Sequence, residues 1–189
     1  WDAAEGILDD LFLYRLYLGT DLEDRRISWS IAKSFLSALF GISLARGEVA
    51  LDDPVTDHAP ALAGSAYAGV TVRDVLTMQS GVVFDEDYLD PQSDINRMGR
   101  VIALGGTMDG FAAALEARDR PPGEAWDYVS IDTHVLAMVL RGVTGRSLAD
   151  LMSERLITPL GLEAEPYFLT DGEGVAFALG GLALTLRDY

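Results

Sequence analysis

A chain of 189 residues, 49% hydrophobic and 23% charged, is long and apolar enough for one globular core. Its 30 acidic residues against 14 basic ones give a formal net charge of -16. That balance argues against nucleic acid as a partner, because phosphate binding relies on clustered Lys and Arg. The absence of cysteine excludes disulfides, thiol catalysis and thiolate metal sites, and leaves the cellular compartment open.

In chain order, residues 7–18 are rich in Leu and Tyr with partial alternation, which predicts one or two strands ending at Gly19. A charged turn over 21–26 leads to a helix over 30–45, closed by Gly47. That helix is apolar nearly all round, its polar members being mostly small serines, so it is expected inside the core. Its apolar run, like that over 135–140, is too short or interrupted for the about 20 residues of a bilayer span, and no membrane span is expected. A loop-rich stretch runs from Leu51 to Gly69. Thr71 and Asp74 have the form of a capping box opening a short helix that stops at Ser80-Gly81.

Residues 84–94 read as an acidic, solvated surface loop of a length that often borders sites. A helix is expected over 109–117, then a Pro-Pro-Gly turn at 121–123. Ser130 is expected to cap a helix over 131–141. Ser147 with Asp150 is expected to cap one over 148–156 that stops before Pro159. Residues 175–186 read as a turn at Gly180-Gly181 leading into another helix. The chain opens on Trp1 and stops in mid-pattern at Tyr189, so 1–189 reads as a single domain truncated at both ends.

The central signal is Ser30-Ile31-Ala32-Lys33. Positions i and i+3 share a helix face with Cβ atoms about 5–6 Å apart, so Lys33 can reach the Ser30 hydroxyl. Taken alone the pattern also fits a capping serine beside a surface lysine. Lys33, however, is the only lysine in the chain, and arginine cannot serve as a general base. The helix macrodipole and the apolar surroundings both disfavour its charged form. A second signal is Tyr128-Val129-Ser130, a tyrosine on a turn whose phenol could shuttle a proton near a buried cation. His58 and His134 lack ligand spacing and are assigned structural or surface roles. No phosphate loop, dinucleotide fingerprint or nucleophile elbow is present.

On these residues the chain resembles the serine β-lactamase and DD-peptidase superfamily. It is most similar to the class C group, which includes carboxylesterases and 6-aminohexanoate-dimer hydrolases. The matching stretches are Trp29-Ser30-Ile31-Ala32-Lys33-Ser34-Phe35, residues 47–54, residues 71–81, Asp85-Glu86-Asp87-Tyr88, Tyr128-Val129-Ser130 and Pro159-Leu160-Gly161. The resemblance implies Ser30 as acyl-forming nucleophile, with Lys33 and Tyr128 sharing the proton transfers. Ser130 stands where class C enzymes usually carry asparagine, which implies substrate binding. The family's third motif, a Lys- or His-containing triplet ending in Gly, has no match after Tyr128.

The expected fold is therefore α/β of the α+β kind, β-lactamase/transpeptidase-like. A helical lobe is built from the middle of the chain, an antiparallel sheet is flanked by helices, and Ser30 lies in the cleft between them. The expected activity is that of a bacterial serine hydrolase acting on a small-molecule amide or ester, with no metal or organic cofactor and the oligomeric state left open. The alternatives are a β-lactamase or DD-peptidase proper, and a catalytically silent relative that binds peptidoglycan-like or protein ligands.

Overall fold

The computed structural model describes residues 23–189, so the strands expected over 7–18 lie outside the described residues. A short strand β1 (Arg26–Ile27) leads through a 3-10 turn (Trp29–Ile31) into helix α1 (Ala32–Ala45). Helices α2 (Val55–His58), α3 (Val72–Leu76), α4 (Asp94–Ala103) and α5 (Met108–Ala113) follow. Next come the long helix α6 (Ser130–Thr144), α7 (Leu148–Met152), a π-helical turn (Ser153–Ile157) and α8 (Thr158–Leu160). Strands β2 (Tyr167–Phe168) and β3 (Leu182–Leu184) close the order. Among the described residues the sheet runs β1-β3-β2, antiparallel throughout, with Ile27 opposite Ala183 and Tyr167 opposite the same residue on the other side. This is the expected β-lactamase/transpeptidase-like architecture of helices and a small antiparallel sheet.

Helix α6, rather than α1, forms the centre of the molecule. Every residue from Ser130 to Leu140 is buried. On α1 the buried positions are Ala32, Leu36, Leu39, Phe40 and Ser43, one stripe at helical spacing. The small residues Ser34, Ser37, Ala38 and Gly41 of α1 are exposed, which corrects the expectation that it is buried all round. A helix buried on every side carries its polar groups inward, and each must find a partner there. On α6, His134 is fully buried and its Nε2 lies 2.7 Å from Asp109 Oδ1, which also accepts from Arg141 at 2.6 Å. Burial pushes the Asp109 carboxyl up, but His134 and Arg141 outweigh it and hold the group down at about 2.

Local signals decide most element ends. The Thr71–Asp74 capping box forms in both directions, and Ser147 accepts from the Asp150 N–H at 3.1 Å. Helix α6 ends on Gly145 at φ 66°, the left-handed conformation of a glycine C-cap. Elsewhere the expectations are corrected. Residues 94–103 form a helix capped by Ser93, within what reads as an acidic loop and its sequel. The helix expected over 109–117 spans only Met108–Ala113, capped by Thr107.

The helical path beginning at Leu148 does not stop before Pro159 but continues to Leu160 through the π-helical turn. Proline stands in the first turn of α8, where its missing N–H costs least. The turn is fixed to α1 by Arg155, whose guanidinium donates to both Glu48 oxygens, at 2.7 and 2.8 Å, and to Ser43 Oγ at 3.0 Å. The stretch after Gly180-Gly181 is strand β3, not a helix.

Gly142 lets α6 approach α2 closely, because a Cβ there would collide with the His58 carbonyl. Gly99, mid-way along α4, has open space around it. Denaturant unfolding should therefore show Gly142→Ala destabilised by about 1–3 kcal/mol. Gly99→Ala should be stabilised by about 0.4–1 kcal/mol. Equal effects of the two substitutions would contradict the close packing assigned to α2 and α6.

Candidate active site

The 3-10 turn that precedes α1 presents Ser30 on an exposed corner. Ser30 is thus not the N-cap of the α-helix but lies one turn ahead of it, and the spacing to Lys33 is kept. One contact and one backbone conformation aim this corner. The Ser28 N–H donates to the Leu182 carbonyl of β3 at 2.7 Å, and Trp29, 69% exposed, adopts a left-handed φ of 47°. A tryptophan at positive φ is strained, a condition that the surrounding structure has to enforce.

Lys33 Nζ donates to Ser30 Oγ at 3.0 Å and to the Leu179 carbonyl at 2.9 Å, and stands 5.3 Å from the centre of the Tyr128 ring. The Tyr128 hydroxyl reaches the same Ser30 oxygen at 2.9 Å. Two side chains, one from the same helical path and one 98 residues away, therefore converge on one oxygen. Burial pushes the Tyr128 phenol up, but hydrogen bonding with Ser30 and Lys33, the lysine charge and Ser130 together draw it below its ordinary value. Ser30 is open to solvent, while Lys33 and Tyr128 are half-buried behind it. Beside Lys33 lies a cavity of about 260 Å³ lined by Ser37, Leu76, Met78, Trp126 and Leu136 among others. A larger hollow of about 540 Å³, between α7 and the 170–176 segment, contains none of these groups and lies apart from the site.

Ser130 takes a different position from the one its sequence context suggests. It is the first residue of α6 rather than its cap, is 1% exposed, and donates its hydroxyl to Glu86 Oε2 at 3.1 Å. The Ser130 N–H donates to Glu86 Oε1 at 2.5 Å, and the Tyr88 hydroxyl reaches Oε2 at 3.3 Å. Contact of this hydroxyl with a substrate would require the Glu86 pair to open. Glu86 and Leu179 are the neighbours that the sequence reading did not single out as site residues. For Glu86 the available signal was its place in Asp85-Glu86-Asp87-Tyr88; a backbone carbonyl such as that of Leu179 leaves no signal in sequence. Among the described residues no cluster of His, Cys, Asp or Glu suits a metal ion. No described helix is long and apolar enough to cross a membrane.

Comparison with known proteins places the chain in a family. The Beta-lactamase family matches residues 27–174. The 6-aminohexanoate-dimer hydrolase of Paenarthrobacter ureafaciens is 33% identical over 173 residues, which are 88% of this chain and 44% of that protein. A candidate 6-aminohexanoate-dimer hydrolase from Bacillus anthracis shares the fold at a TM-score of 0.78 and 24% identity, over 90% of this chain and 47% of that one. A D-stereospecific amidohydrolase from Streptomyces sp. does so at a TM-score of 0.68 and 24% identity, over 88% of this chain and 58% of that one. The chain thus spans less than half the length of the curated relative it matches over most of its own. It belongs to the Beta-lactamase family.

Beneath the site, Asp132 is fully buried in the first turn of α6, with Oδ1 accepting from the Tyr67 hydroxyl at 2.7 Å and Oδ2 without a hydrogen-bond partner among the described residues. Burial raises its carboxyl, Tyr67 and Ser80 oppose this, and the charge of Glu86 adds to it, so that the group is pushed up to about 7. The folded protein then keeps a proton that the unfolded chain releases near pH 4. Stability should fall as pH rises from about 4 to about 7 and level off above. Melting temperature followed from pH 4 to pH 8 should show this decline in the parent protein and a flatter profile in Asp132→Asn. An unchanged slope would remove Asp132 as its source.

Proposed function

We propose that this chain carries the nucleophile side of a serine hydrolase that cleaves an amide or ester through an acyl-enzyme on Ser30. The observation that carries this reading is the convergence of Lys33 Nζ and Tyr128 Oη on Ser30 Oγ at 3.0 and 2.9 Å. A serine hydroxyl is a weak nucleophile until a neighbouring base takes its proton as it attacks. Here the phenol is the group drawn toward its ionised form, and the lysine ammonium beside it balances the charge that would develop.

In the proposed sequence, Ser30 Oγ bonds to the substrate carbonyl carbon while its proton passes to the Lys33–Tyr128 pair. The tetrahedral intermediate then expels the amine or alcohol, which leaves with that proton. Water, deprotonated by the same pair, attacks the ester formed on Ser30 and frees the acid, returning the proton to Oγ. The Ser30 N–H serves as one donor to the oxyanion. Of the two substrate classes the amide is favoured, because the relative that is 33% identical is a hydrolase of an amino-acid dimer. Ester, β-lactam and peptide cleavage place the same demands on this side of the site.

In the full-length protein, Ser30→Ala should abolish hydrolysis of a small chromogenic ester and of a simple linear amide. It should also abolish covalent labelling by a fluorophosphonate, read as a mass shift on the peptide containing residue 30. Tyr128→Phe and Lys33→Ala should each lower kcat by about 10²–10⁴-fold, the usual contribution of a positioned acid or base. Turnover that survives Ser30→Ala would refute the nucleophile. A folded parent protein that is neither labelled nor active would favour a silent binding relative.

A further inference from the structure

We infer that Glu86 is a positioning residue for Tyr128, capping α6 from a distant loop and thereby setting where the phenol stands relative to Ser30. The inference rests on the reading of Tyr128 as a proton carrier.

Helix α6 has no cap of its own. Val129, its N-cap residue, is extended at φ -124° and offers no side-chain acceptor, so the first N–H groups need a partner from elsewhere. Glu86, 44 residues upstream, takes both the Ser130 N–H and the Ser130 hydroxyl with its two carboxylate oxygens. A carboxylate at the N-terminus of a 15-residue helix is also on the favourable side of its dipole.

Tyr128 lies between two anchors. On one side the Asp127 N–H donates to the Met78 carbonyl at 3.0 Å. On the other side is the Ser130–Glu86 pair. Val129, buried in the core, lies between these anchors but no ladder or helix runs through the segment, so the two anchors set where the phenol stands 2.9 Å from Ser30.

The loop bearing Glu86 is built to hold it still. The Asp85 N–H donates to Asp94 Oδ2 at 3.0 Å, and the Asp85 carbonyl accepts from the Ile95 N–H at 3.0 Å. The Asp87 N–H donates back to Asp85 Oδ1 at 2.9 Å. Asn96 Nδ2 then donates to the carbonyls of Asp87, Tyr88 and Asp90 at 3.3, 3.1 and 2.8 Å. A surface acid that merely solvates the chain would not need this brace. The titratable groups around Glu86 are Tyr88, Asp132 and, through Ser130, Tyr128. Burial and the neighbouring Glu86 carboxylate together raise the Tyr88 phenol and the Asp132 carboxyl.

The test is a double-mutant cycle in the full-length protein, with hydrolysis of p-nitrophenyl acetate as the readout and melting temperature as a check on folding. Glu86→Ala should lower kcat by about 10–100-fold with KM within about threefold, the cost of misplacing a catalytic group by about 1 Å. Glu86→Gln keeps the shape and an oxygen for the Ser130 N–H, so it should recover most of that loss. In a Tyr128→Phe background the same Glu86 substitutions should change kcat by less than about twofold. An equal loss in both backgrounds, or no loss in the first, overturns the inference. Should Glu86→Ala fail to fold, the cycle is run with Glu86→Gln and Glu86→Asp: a loss for Asp confined to the Tyr128 background supports the inference, and a loss shared by both backgrounds refutes it. If Ser30→Ala and Tyr128→Phe abolish turnover while the Glu86 variants do not, the positioning role falls and the hydrolase reading stands. If Tyr128→Phe has no effect, the proton-carrier reading falls and takes this inference with it.

Discussion

The constraint on which the site depends is the complete burial of the first eleven residues of α6. A helix in that position cannot turn its unpaired N–H groups or its polar side chains to water, so each must be met by protein or cost roughly 1–3 kcal/mol. Tyr67 meets Asp132, Asp109 meets His134, and Glu86 meets the Ser130 amide and hydroxyl. These obligations pin α6 to the 58–67 region, to α5 and to the acidic loop. Tyr128, two residues before the helix begins, inherits the precision of that pinning.

A second clamp comes from the sheet. The segment 177–184 both receives Lys33 on its Leu179 carbonyl and receives the Ser28 N–H on its Leu182 carbonyl. Gly181 permits the turn within it, since a Cβ there would press on the Phe177 side chain and carbonyl. Ser30 and Lys33 are therefore referred to one stretch of chain, while the Tyr128 phenol is referred to α6. The distances at Ser30 Oγ measure how well two separately braced parts of the fold meet.

What could be read from sequence was local. Ser30 and Lys33 are three residues apart on one helical path, and the Thr71–Asp74 and Ser147–Asp150 caps close within four residues; no tertiary knowledge is needed for any of them. Tyr128 was identifiable as a candidate because it adjoins a strong turn, and its pairing with Ser30 came from resemblance. The rest depends on contacts that leave no periodic trace. Glu86 sits in a run of acids that looks like solvated surface, and its partner is 44 residues away. Ser130 has the residue type of a cap, yet a carboxylate from another loop takes that role. Helix α4 was masked by the acidic composition before it, although Ser93 carried a cap signal. Strand β3 is three residues long and buried on both faces, so it lacks the alternation that separates strand from helix. The exposed stripe of α1 shows the converse, because small serines and glycine are compatible with burial and do not require it.

The distribution of charge around Ser30 follows from the same division. In a chain with a net charge of -16, Lys33 is the one lysine, and among the described residues it is held by neutral groups: a hydroxyl, a carbonyl and the face of a phenol. A carboxylate in their place would form an ion pair, favour the protonated amine and compete with Ser30 for it. The two acids at the start of α6 are engaged by other partners, Glu86 by Ser130 and Asp132 by Tyr67. Burial and the Glu86 charge raise Tyr88 and Asp132, while the phenol of Tyr128 feels the lysine. Burial pushes the Tyr128 phenol up, but with those acids bound elsewhere, hydrogen bonding to Ser30 and Lys33 and the lysine charge draw it down, although the acidic loop reaches Ser130 two residues away. In the proposed mechanism the start of α6 then separates the groups that hold α6 in place from those assigned to proton transfer.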